Sequence, residues 1–127
     1  MIHWLRNWFR PAFRSHECRE RFFAIASAAG KPRGLRWLRV EPNGEPTFAH
    51  DAKGQLHALL PLSVSFEPIP GSDMEDVPAA RTPRPILALF HQKGRTWTTD
   101  GRSIFNLTAI QAVEMLGWRV LTVRAIR

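Results

Sequence analysis

The chain has 127 residues, 44% of them hydrophobic and 23% charged, which is ordinary usage for one globular domain and argues against wholesale disorder. Its single cysteine excludes an internal disulfide scaffold and a cysteine-rich zinc module. No uncharged stretch approaches the roughly 20 residues of a membrane-spanning helix. The net charge is +7, which points to an anionic partner.

That charge sits at the two ends. Residues 1–36 carry Arg6, Arg10, Arg14, Arg19, Arg21, Lys31, Arg33 and Arg36 against Glu17 and Glu20. Residues 37–116 are slightly acidic, and Arg119, Arg124 and Arg127 restore the excess beyond them. Most of the basic residues are arginine, which favours bidentate phosphate contacts and stacking, although a GC-rich coding bias gives the same composition.

Residues 1–14, MIHWLRNWFRPAFR, read as a short amphipathic helix stopped by Pro11. Ile2, Leu5 and Phe9 follow helical spacing, and Trp4 and Trp8 lie one turn apart beside them. Without an acid and with three arginines, this segment suits a nucleic acid, a membrane surface, or docking on its own domain or on a protein partner.

A second helix is expected from Ser15 as N-cap to about Ala29, with Gly30 and Pro32 ending it. Its stripe of Phe22, Ile25, Ala26 and Ala29 marks the main core helix. The apolar run 22–29 resembles a signal-peptide core, but it is short and Glu17 and Glu20 stand before it, so a cytoplasmic location is expected.

Strands follow. Leu35–Glu41 and Thr47–His50 flank Asn43-Gly44, a type I′ hairpin signal. Asp51-Ala-Lys-Gly54 is a second tight turn. From Gln55 to Glu67, Leu56, Ala58, Leu60, Leu62, Val64 and Phe66 alternate with His57, Leu59, Pro61, Ser63, Ser65 and Glu67, the pattern of a half-buried strand. Pro61 implies an edge position or a bulge.

Residues 68–85 read as a long, solvated loop with prolines and the acids Asp73, Glu75 and Asp76. Ile86–His91 and Arg95–Thr99 form a hairpin around Lys93-Gly94. Thr108-Ala-Ile-Gln111 is a capping box that opens a last helix, closed by Gly117, and Trp118–Ile126 is a final strand.

These elements predict an α+β domain. It is an antiparallel sheet of about five to six strands on one main helix, with an N-terminal amphipathic segment (1–14), a body from 15 to 127 and a short C-terminal helix.

Chemistry-bearing residues are sparse. If the Asp51–Gly54 turn closes a regular hairpin, His50 faces Gln55 and Phe48 faces His57, which sets His50 and His57 diagonally on one face. With His91 or Asp51 added they would be a candidate metal seat, but the pair alone falls short of three zinc ligands, and no cofactor is expected. Cys18, in the first turn of a helix among arginines, is a candidate reactive thiolate or a small buried residue. There is no nucleophile elbow, phosphate loop or dinucleotide fingerprint, so no catalytic residue is assigned.

The leading expectation is a non-enzymatic binding module. Arg6, Arg10, Arg14, Arg19, Arg21, Lys31, Arg33 and Arg36, with Trp4 and Trp8, would contact an anionic partner, most simply nucleic acid. The alternatives are a small-molecule binder or small enzyme using a cavity beneath the sheet, and attachment to a membrane surface or protein partner through residues 1–14.

Overall fold

Thirteen residues of alternating apolar pattern extend the chain at its centre, and everything else is arranged along that strand. The computed structural model describes residues 12–29 and 34–121. In chain order the elements are α1 (Ser15–Ala29), β1 (Leu35–Pro42), β2 (Thr47–His50), β3 (Leu56–Pro68), β4 (Arg84–Lys93), β5 (Thr96–Thr98), β6 (Ser103–Phe105), α2 (Ala109–Leu116) and β7 (Arg119–Val120). The class is the expected α+β, with seven strands because the short β6, not expected from the sequence, joins the sheet. The expected helix in residues 1–14 lies, as far as residue 11, outside the described residues. So do the Gly30–Pro32 helix stop and the final strand beyond Leu121.

β3 and β4 form the central antiparallel pair, from His57↔His91 to Val64↔Arg84. Two strands lie end to end along each outer edge of this pair. β1 pairs with the C-terminal half of β3 and β2 with its N-terminal half. β5 and β6 divide β4 in the same way, and β7 lies outside β2.

β1 and β2 therefore do not form the hairpin that Asn43-Gly44 signals. Pro42 and Pro46 flank that turn and remove two ladder donors, and both strands take β3 as partner instead. The same junction explains Pro61, which sits in a central strand rather than at an edge. Its carbonyl accepts from Asn43 N–H at 3.1 Å, so its donor-less nitrogen faces the gap where β1 gives way to β2.

α1 lays Cys18, Phe22 and Ala26, one turn apart, onto the face formed by Leu56, Ala58, Leu60, Leu62, Val64, Ile86 and Phe90. Its first backbone bond runs from Cys18 N–H to the Arg14 carbonyl, so Arg14, not Ser15, occupies the cap position. Phe13 precedes the helix and meets Phe48, Phe90 and Trp97 edge-on, with ring centroids 5.3–5.6 Å apart. Burying a large side chain such as Phe22 or Phe90 contributes roughly 1.5–3 kcal/mol.

The opposite face is covered too, which the half-buried pattern does not anticipate. Ala49, Leu59, Leu87 and Leu89 pack against Ala112 and Val113 of α2, and Leu59 is 0% exposed. α2 carries the expected capping box, with Thr108 and Gln111 exchanging bonds of 3.0 and 3.2 Å. The expected solvated loop is shorter and docked: β3 runs on to Pro68, Pro78–Arg81 makes a 3-10 turn, Ala80 is buried, and Met74 and Val77 pack on the core.

A cationic cleft at the turn end of the sheet

The β2–β3 turn decides which residues meet. Asp51 N–H donates to the Gln55 carbonyl at 3.0 Å, which leaves a three-residue loop, Ala52–Lys53–Gly54, with Gly54 at φ +82°. The resulting register pairs His50 with Leu56 and Ala49 with His57. This is one residue away from the regular hairpin expected from the sequence, and a one-residue shift moves a side chain to the other face. His50 thus lies on the α1 side with Leu56, and His57 on the α2 side with Ala49 and His91. The expected His50–His57 face does not exist. Among the described residues no group of three His, Cys, Asp or Glu side chains is placed to hold a metal.

His57 instead belongs to a different cluster. Its Nε2 lies 3.0 Å from Asp51 Oδ2. Asp51 Oδ1 accepts from the N–H groups of Lys53 and Gln55, both at 2.9 Å. The hydrogen bond from His57, helped by those backbone donors, holds the Asp51 carboxyl below its ordinary value. Trp118, between α2 and β7, stacks on the imidazole with ring centroids 3.9 Å apart and planes 11° from parallel. Both oxygens of Asp51 are thus hydrogen-bonded, an arrangement that favours its ionised form.

Beside this cluster, on the α1 side, is a cleft of about 710 Å³. His50 and Arg119 are cross-strand partners on its wall, Leu56 and Leu121 are its apolar contribution, and Gln92 and Lys53 stand at its sides. A smaller hollow of about 290 Å³ adjoins it between the β2–β3 and β4–β5 turns. Gln55 Nε2 donates to the Gln92 carbonyl at 2.6 Å and ties these turns together. Exposed Lys53, Arg119, Lys93 and Arg95 surround this end of the sheet, and among the described residues none is in an ion pair. Asp51 is the one carboxylate among the residues lining either hollow.

No known protein family, characterised protein or solved structure matches the chain.

Four of the arginines expected to form the interface are among the described residues, and each touches a neighbour while staying exposed or half-exposed. Arg14 lies 3.7 Å from Glu17, Arg36 is ion-paired with Glu67, Arg19 Nη2 donates to His16 Nδ1 at 2.8 Å, and Arg21 Nη1 donates to the Trp97 carbonyl at 2.7 Å. Trp4, Arg6, Trp8, Arg10, Lys31 and Arg33 lie outside the described residues. Cys18 is 5% exposed, and burial pushes its thiol up, outweighing the opposing pull of Arg21. It is therefore a core residue, not an activated thiolate.

The sequence reading counts Arg119 among the basic residues of the C-terminal end but singles out none of Lys53, Lys93 and Arg95. The signal available was the Lys-Gly dipeptide at both tight turns, which the β3–β4 register brings to the same end of the sheet.

Proposed function

We propose that the protein is a non-enzymatic binding module for an anionic partner, nucleic acid, engaged at the turn end of the sheet. The observation that carries this reading is the cleft edged by Lys53 and Arg119, with Lys93 and Arg95 nearby, so that these cations outnumber Asp51, the one carboxylate on its lining. The sequence adds weight. Arg6, Arg10, Lys31, Arg33, Arg124 and Arg127, with no acidic neighbour in 1–11, 30–33 or 122–127, account for most of the +7 net charge. The mechanism is phosphate neutralisation with counterion release, which makes binding strongly salt-dependent and weakly selective for sequence.

Fluorescence anisotropy of a labelled 20-mer at 50 and 200 mM salt tests the reading on the full chain. Neutralising four phosphates of a single strand predicts a roughly 50-fold loss of affinity over that range. Reversing Lys93 and Arg95 to Glu should weaken binding and flatten the salt dependence. No binding at 50 mM salt overturns the proposal.

A further inference from the structure

We infer that the 710 Å³ cleft is a nucleotide site: it takes one nucleoside monophosphate unit, either free or at the end of a single strand. This deepens the anionic-partner reading and rests on it.

The inference follows from the order of side chains across the sheet. Leu56 on β3, His50 on β2 and Arg119 on β7 occupy one row on the α1 side. Continuing the β3–β4 register puts Gln92 beside Leu56, and Gln92 also lines the cleft. Adjacent strands lie about 4.8 Å apart, so the row runs about 14 Å from an amide, over an apolar floor and an imidazole, to a guanidinium. A nucleotide presents the same sequence of chemistries: a hydrogen-bonding base edge, a flat ring and a phosphate.

The base lies on Leu56 and Leu121 beside the imidazole of His50, an aromatic ring of the kind that stacks on unpaired bases. Gln92, whose Nε2 also donates to the Gly94 carbonyl at 3.0 Å, offers its second N–H and its Oε1 to the base edge. Arg119, at the far end of the row from Gln92, meets the phosphate through its planar fork, and Lys53, which also lines the smaller hollow beside Gln92, adds a second positive charge to the cleft.

The shape separates this ligand from others. The volume falls in the ordinary range for small-ligand sites, about 300–1,000 Å³, and the cavity combines apolar lining with a few convergent polar groups. A duplex keeps its bases stacked inside and meets only the rim, whereas a single strand can place an unstacked base within. Inorganic phosphate uses the cations and leaves Leu56 and Leu121 unused.

The test is calorimetric titration of full-length protein at 50 mM salt with adenosine 5′-monophosphate, adenosine and inorganic phosphate. It is combined with displacement of a labelled single-stranded 20-mer by each. The monophosphate is expected to bind and to displace the 20-mer, with adenosine and phosphate each at least tenfold weaker. A single-stranded 20-mer should outcompete the duplex.

The exposed substitutions Lys53→Gln and Arg119→Gln should each weaken the monophosphate about tenfold or more without changing the circular dichroism spectrum. Phosphate as effective as the monophosphate would overturn the base site and leave a plain anion site. Salt-dependent 20-mer binding that the monophosphate does not displace would overturn this inference and leave the proposed function standing. Failure of both the 20-mer and the monophosphate to bind would overturn both. Monophosphate binding lost in Arg119→Gln, without 20-mer binding, supports the free nucleotide as ligand and overturns the nucleic-acid reading.

Discussion

The indole of Trp118 lies flat on the imidazole of His57, 3.9 Å between ring centroids, while His57 Nε2 holds Asp51 Oδ2 at 3.0 Å on the other side of the turn. The C-terminal end of α2 is thereby fastened to the β2–β3 turn that forms one wall of the cleft. A stacked ring pair contributes about 0.5–1.5 kcal/mol beyond the area it buries. His57→Ala loses that contact and leaves Asp51 Oδ2 without its side-chain donor, so a loss of about 2 kcal/mol is expected in urea unfolding. A double-mutant cycle with Asp51→Ala should give a coupling of about 1 kcal/mol. Strictly additive single mutants would show that the pair contributes nothing of its own.

Acid stability should carry the mark of Asp51. Its folded carboxyl is held below the unfolded value, which is about 3.9. The group therefore contributes stability that is fully present above the unfolded value and is lost as the pH falls through the folded one. Asp51→Asn should flatten the fall in unfolding free energy below about pH 4. An unaltered acid limb in the variant would remove Asp51 from the account.

The turn before β6 depends on a missing side chain. Gly101 has φ +87°, and a Cβ there would stand 3.1 Å from Ile25 Cγ2 and 3.2 Å from both the N and Cα of Ala26 in α1. Two of those three atoms are helix backbone and yield little. Gly101→Ala thus combines a left-handed backbone penalty of about 1 kcal/mol with displacement of α1 from the sheet. The expected loss is about 2–4 kcal/mol by thermal or urea unfolding, and a loss below 1 kcal/mol would mean that α1 does not pack there as described.

Cys18 provides a chemical probe of the α1 interface. The thiol is buried and its acidity is weakened by desolvation, with Glu17 acting in the same direction and Arg21 against it. Ellman's reagent at pH 8 should modify native protein far more slowly than unfolded protein, and the rate should rise with urea in step with unfolding. Immediate stoichiometric reaction in native buffer would place the thiol on the surface.

Several elements were readable locally. The bounds of α1 follow from its apolar stripe, and the capping box at Thr108 and Gln111 is a short-range arrangement complete within four residues. The alternation from Leu56 to Phe66 identified β3 and its α1-facing side. Less legible was Leu59, fully buried on the side that alternation assigns to solvent, because α2, fifty residues later, covers it.

The candidate site was mostly illegible, for two physical reasons. Arginine count locates formal charge but not its neighbours: Arg14 and Arg36 lie against Glu17 and Glu67, whereas Arg19 and Arg21 meet an imidazole and a carbonyl and keep their charge. Lys53 and Arg119 of the cleft, and Lys93 and Arg95 of the adjoining turn, are scattered along the sequence and become a group only through the β3–β4 and β2–β7 pairings.

The sequence by itself therefore determined the α+β class, the main helix, the central strand and the capped short helix, since periodicity, caps and turn residues act within a few positions. Tertiary structure alone decided that β1 and β2 share β3 rather than each other, that His50 and His57 face opposite ways, and that Trp118 covers His57. Those outcomes depend on register, and in a sheet with a side-chain period of two, a three-residue rather than four-residue loop at Ala52–Gly54 is enough to reverse a face.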